Sequence, residues 1–179
     1  MYSYAGVGSR TTPRLVLLTM FNLAHRLAIN NFLLRSGAAN GADTAFENGC
    51  MEARGQSEIW LPWSGFNNHS DTGFLPLEEH YQMAKTLHPR WDTLSRSIKA
   101  LHARNVGQIL GTDLNSPVNL VICYTPDGCE SEDSRTKYTG GTGTAIALAS
   151  RYGIPVYNLR NPSAIRRLNS HVVSLLGIA

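Results

Sequence analysis

The chain is short of charge, of lysine and of cysteine. Only 16% of its 179 residues are charged, against 42% hydrophobic, a globular composition with a polar and largely uncharged surface. Lysine stands at positions 85, 99 and 137 alone, so a groove tracking a nucleic-acid backbone would have to be built from arginine. Cys50, Cys123 and Cys129 are odd in number and form no C-x-x-C pair, which argues against a disulfide framework and a structural zinc site. The six histidines show no i, i+4 pairing, and no metal site is expected. No apolar run approaches the roughly 18 residues of a membrane span, and the N-terminus has no basic segment before an apolar one. A soluble, cytoplasmic protein without a membrane partner is therefore expected. Two phosphate motifs are also missing. "GVGSRT" lacks the third glycine of G-x-G-x-x-G, "LLRSG" lacks the acidic residue that would hold a ribose, and no G-K-[ST] follows a four-residue spacer. An ordinary NAD dehydrogenase or P-loop NTPase is disfavoured.

What is present is an alternation of apolar strands and amphipathic helices. Residues 2–5 read as a strand. Thr12 as N-cap and Pro13 at the first helical position open a helix that carries Leu15, Leu18, Leu23 and Leu27 to about residue 30. "FLLRSG" is the second strand, 43–54 a helix closed by Gly55, and "SEIWLPW" the third strand, ending at Pro62. A polar loop covers 64–75, and helices cover about 76–87 and 92–110, with Pro89 between them. "VNLVICYT" is the fourth strand. A long loop spans 126–141, then come a helix over 143–152, "IPVYNL" as fifth strand, and a last helix from Pro162 with Ile165, Leu168, Val172 and Leu175 on one face. The reading is one α/β domain over 1–179, a Rossmann-like, doubly wound, mainly parallel sheet of about five strands with helices on both faces. The apolar face of the 76–110 helices serves either as core or as an interface between copies.

Three strand-to-helix turns carry the glycines: "GVGSR" (6–10), "SGAANGAD" (36–43) and "TGGTGT" (139–144). In a doubly wound sheet all three lie at the carboxyl edge, where ligands bind. Each leads into a helix N-terminus, whose free N–H groups and dipole favour an anion. Gly6, Gly8, Ser9, Arg10, Ser36, Gly37, Ala38, Asn40, Asp43, Gly140, Gly141, Thr142, Gly143 and Thr144 are thus candidate phosphate- and ligand-binding residues. Arg10 suits a phosphate fork, whereas Arg35, inside a strand, suits a structural ion pair. Trp63 and Phe66 stand where a base would stack. Net charge is +3, a mild basic excess compatible with a phosphate-bearing partner. The acidic stretch around Glu130, Glu132 and Asp133 would repel a DNA backbone, and as a loop it would act as a mobile lid or a cation site, or simply be solvated.

In order and spacing these turns, with "LHARNVGQILG" at 101–111 and "GGTGTAIALA" followed by "YGIPVYNL", resemble the SMF/DprA–LOG superfamily of Rossmann-like nucleotide-binding proteins. The small size is similar to that of phage-encoded DprA-like proteins. The resemblance implies binding of a nucleotide or nucleotide-derived signal, often by homo-oligomers, and adds Arg104 and Asn105 to the candidate site. No certain cofactor follows from it. For a phage protein in the host cytoplasm, it implies sequestration of such a signal as counter-defence. Its DprA branch implies single-stranded DNA binding as a recombination accessory instead. Its LOG branch implies phosphoribohydrolysis by a glutamate after the glycine turn, where this chain has Ala145, Ile146, Ala147 and Leu148. An N-glycosidase would then have to use Glu47 with Asp43, one helical turn apart on one face. Asp43 also suits N-capping and Glu47 a solvated helix surface.

Overall fold

The computed structural model describes residues 1–69 and 73–178; the part of the 64–75 loop at 70–72 lies outside them. Five parallel strands form one sheet in the order β3-β2-β1-β4-β5: β1 (Ser3–Gly6), β2 (Leu33–Ser36), β3 (Ser57–Ile59), β4 (Leu120–Cys123) and β5 (Val156–Asn158). Six helices connect and flank them: α1 (Arg14–Ile29), α2 (Ala42–Glu52), α3 (Glu78–Leu87), α4 (Arg96–Leu110), α5 (Gly143–Arg151) and α6 (Ala164–Leu176). The expected doubly wound fold is the one formed. None of these helices is long and apolar enough to cross a membrane.

The two faces follow from the handedness of parallel crossovers. β1-α1-β2-α2-β3 runs toward one edge, so α1 and α2 cover one face. The return through α3 and α4 to β4, and on through α5 to β5, runs the other way and covers the opposite face. Strand alternation divides the core accordingly. Tyr4, Leu34, Leu120 and Ile122 pack with Met20, Leu23, Leu27 and Phe46 beneath α1, α2 and α6. Ala5, Val121, Cys123 and Val156 pack with Val106, Ile109, Ile146 and Leu148 beneath α4 and α5. Leu87 of α3 and Trp91 belong to this second cluster, so the apolar face of the 76–110 helices is core.

Several local expectations are corrected. Pro13, rather than Thr12, occupies the cap position of α1, and no side chain caps the helix; Thr12 Oγ1 donates to the Ser9 carbonyl at 2.7 Å instead. Leu15 and Leu18 are exposed, because they lie on the outer side of α1, while Val16 and Leu17 beside them pack against the core with Met20, Leu23 and Leu27. α4 starts at Arg96, where Ser95 Oγ accepts the Ile98 N–H; residues 91–93 form a separate 3-10 turn. Ile165 of α6 is also exposed, while Leu168 is buried. Arg35 pairs with Glu58 at 2.6 Å, the structural role expected of it.

A cationic cleft at the switch point

The strand order reverses between β1 and β4, and a parallel sheet parts its loops at such a point. A cleft of about 890 Å³ opens there between the β1–α1 turn, α4 and the start of α5. Gly8, Ser9, Arg10, Asp43, Arg104, Asn105 and residues 139–145 all line it. Gly6, Ser36, Gly37, Ala38 and Asn40 do not.

The second turn explains that division. Gly37 packs so closely beneath α4 that a Cβ there would fall on the Arg104 guanidinium. The Asp43 carboxylate accepts from Arg104 Nη1 at 2.8 Å, from the Ala39 N–H at 3.4 Å and from the Gly8 N–H. Burial pushes its carboxyl above the ordinary value, against the opposing pull of the Arg104 guanidinium and these N–H groups. Gln108, with its amide oxygen toward the donors, accepts from the Gly37 N–H at 2.8 Å and from Arg104 Nη1 at 3.3 Å, and donates to Asn105 Oδ1 at 3.1 Å. Ser36 Oγ donates to the Gly6 carbonyl at 2.7 Å. Glycine here lets α4 approach, and Asp43 ties the first two turns to α4.

The third turn is different. A Cβ at Gly140 or Gly141 would meet nothing within 4 Å, and Gly140 holds φ at +63°. Both residues are exposed to the cleft. Their backbone N–H groups have no acceptor among the described residues, at the entry of α5, where the helix dipole favours an anion. Asn105 Nδ2 donates to the Gly141 carbonyl at 2.9 Å and fixes the turn to α4. Arg104 Nε is buried in the cleft wall without a partner.

Behind this turn lies a pair that sequence reasoning did not single out. His102 Nδ1 and Thr144 Oγ1 are 2.7 Å apart, and the His88 ring lies 4.8 Å from that of His102. Burial, then the neighbouring His88 and Arg104, lower the His102 pKa to about 4. Forty-two residues separate His102 from Thr144, and no local pattern announces such a contact.

The acidic loop is pinned rather than lid-like. Glu130 pairs with Arg167 at 2.6 Å, and Glu132 with Arg151 at 2.7 Å and Arg135 at 3.3 Å. Partial burial raises the Asp127 pKa, but the hydroxyls of Thr136, Thr139 and Thr125 and the Cys129 N–H outweigh it and hold it at about 2. Among the described residues no group of three ligating side chains suits a metal ion.

Four candidates gather on the outer side of the second turn, away from the cleft lining. Glu47 is bound by His69 Nε2 at 2.8 Å. Asn40 Oδ1 accepts from Asn67 Nδ2 at 2.8 Å. Trp63 and Phe66 pack edge to face, their centroids 5.1 Å apart. Glu47 therefore does not share the cleft with Asp43, whose carboxylate is held by Arg104.

The fold and cleft define an all-parallel α/β protein of Rossmann-like strand order with a cationic site at its switch point. No protein-family model and no curated protein sequence matches the chain. Among solved structures it is similar to DNA processing protein A from Helicobacter pylori, described for its single-stranded DNA binding mode, at TM-score 0.45 and 14% identity over 97% of this chain and 81% of that one. It is similar also to DNA processing protein A (DprA) from Streptococcus pneumoniae, at TM-score 0.36 and 14% identity over 87% of this chain and 58% of that one.

Proposed function

We propose that the protein binds a nucleotide or nucleotide-derived signalling molecule in this cleft and sequesters it. The observation that carries the reading is a charge asymmetry. Exposed Arg10, Arg90 and Lys137 line the cleft and take part in no ion pair among the described residues, whereas both acids lining it, Asp43 and Glu132, are already held by arginines. With the open N–H groups of Gly140 and Gly141, that leaves a site for an anion of phosphate type. The ligand's phosphate sits on the third turn within reach of Arg10, and Asn105 steadies that turn. Leu94, Ile98 and Leu101, which line the same space, offer an apolar wall to the base. Trp63 and Phe66, outside the lining, have no part in it. Among the described residues no unpaired carboxylate lines the cleft, so the paired-carboxylate route to glycosidic cleavage has no support there.

A second reading, binding of single-stranded DNA, has one feature in its favour. Tyr138 is 63% exposed at the rim, with Lys137 Nζ 5.0 Å from its ring centroid, a pairing suited to a stacked base beside a backbone phosphate.

A thermal-shift panel with AMP, ADP-ribose, NAD, cyclic and linear dinucleotides and oligo-dT separates the two. Ligand at 100 times its dissociation constant stabilises by about 2.7 kcal/mol. A shift with a small nucleotide and none with oligo-dT is expected. A shift with oligo-dT alone that fades with salt contradicts the first reading.

A further inference from the structure

Directly behind the open glycine turn, a side chain of α4 meets one of α5. His102 Nδ1 and Thr144 Oγ1 are 2.7 Å apart, both residues are buried, and both belong to the cleft wall. Thr144 stands in the first turn of α5, just after Gly143. Its hydroxyl has no other partner among the described residues. A hydroxyl carries a single proton, so Thr144 directs it either to His102 or into the cleft.

The surroundings of His102 decide that direction. The His88 ring, after α3, lies 4.8 Å from it, and Arg104 acts on it from its own helix. Arg90 and Arg135 act in turn on His88 from the outer wall of the cleft. The Trp91 ring, 6.4 Å away, carries Lys99 Nζ over its face. α5 contributes no charge before Arg151. The acids of the cleft, Asp43 and Glu132, are held by Arg104, Arg135 and Arg151. No free negative charge therefore faces the ring among the described residues. Burial, then His88 and Arg104, lower its pKa to about 4, so it is neutral in the free protein, and its bare Nδ1 takes the Thr144 proton. An anion in the cleft supplies the missing counter-charge.

We propose that His102 is a proton-coupled positioning residue for the phosphate. When a phosphate settles on the Gly140–Gly141 turn, the imidazole gains a proton from solvent at Nδ1 and donates a hydrogen bond to Thr144 Oγ1. Thr144 keeps its own proton and turns it from His102 to the phosphate. The inference rests on the nucleotide reading above and adds the groups that make phosphate recognition depend on proton uptake.

Nitrogen NMR of the protein with 15N-labelled histidine, at pH 6 with and without AMP, tests it and needs no variant. In the free protein His102 should read as a neutral ring with Nδ1 unprotonated, and with AMP as an imidazolium. Titration calorimetry gives a second readout. Between pH 8 and pH 6 the AMP affinity of the natural chain should gain at least about threefold relative to His102→Asn, which cannot take up a proton. Thr144→Val, with no hydroxyl to turn, should bind AMP about tenfold more weakly than the natural chain at pH 6.

AMP that moves the Gly140 and Gly141 amides while His102 stays neutral, or while His88 alone is protonated, overturns this role and leaves the nucleotide reading standing. The same pH dependence in the natural chain and in His102→Asn does so too. Failure of AMP to bind at either pH overturns both together.

Discussion

The second and third glycine turns look alike in sequence and do opposite work in the fold. In the second, Gly37 makes room for Arg104, Asp43 holds the guanidinium, and Gln108 accepts the turn's N–H. Its polar groups are used up inside the protein. In the third, Gly140 and Gly141 face open cleft, and their N–H groups are unclaimed among the described residues. Glycine density alone does not separate a packing requirement from a ligand requirement; the occupant of the space where a Cβ would stand does.

The largest expected effect breaks the closed turn. Arg104→Ala leaves Asp43 buried without its counter-charge and should cost about 3–5 kcal/mol of stability, read by urea unfolding. Adding Asp43→Asn should recover part of the loss. A cost below about 1 kcal/mol would mean that the ion pair is not what joins the turns to α4.

The next effect concerns the histidine behind the open turn. Because His102 has a folded-state pKa of about 4 against an ordinary 6.5, the unfolded chain binds more protons between these values. Its contribution is therefore fully present above pH 6.5 and lost as the pH falls toward 4, by up to about 3 kcal/mol. Unfolding measured across that range should show the slope, and His102→Asn should flatten it. A bound phosphate would favour the imidazolium and shrink the slope as well.

Smaller effects sharpen the contrast at the open turn. Gly141→Ala adds a methyl where nothing stands within 4 Å, so stability should change by no more than about 0.5 kcal/mol. Nucleotide affinity, by contrast, should fall about tenfold, read by titration calorimetry. Glu47→Gln, with Glu47 bonded to His69 outside the cleft, should leave affinity unchanged and cost under about 1 kcal/mol in a thermal melt.

Much of the fold was legible in the sequence, because buried parallel strands read as apolar runs and helices as 3.6-residue periods. Strand and helix positions agree with the structure to within a few residues. The misplaced leucines of α1 show the limit: the helix is apolar enough at 15–18 for two stripes to be drawn, and it is Val16 and Leu17, not Leu15 and Leu18, that pack against the core. The third turn, Arg10, Arg104 and Asn105 were legible from glycine spacing and family resemblance, and they do line the cleft. The outer wall was not. His88, Arg135 and the His102–Thr144 pair arrive from segments far apart in the chain, and the arginine partner of Asp43 lies 61 residues away. Trp63 and Phe66 carry an aromatic signal, but the loop that follows β3 at the sheet edge places them beside the second turn, where Asn67 bonds Ala38 and Asn40, instead of at the switch point.

The most direct test of the central claim is a titration of the 15N-labelled protein with AMP, followed by amide chemical shifts. The account predicts that the Gly140 and Gly141 amides move furthest, along with Ser9 and Arg10, while the amides of Asn40, Glu47 and Phe66 stay in place. Movement centred on Asn40, Trp63 and Phe66, with Gly140 and Gly141 unmoved, would contradict it and put the ligand on the second turn.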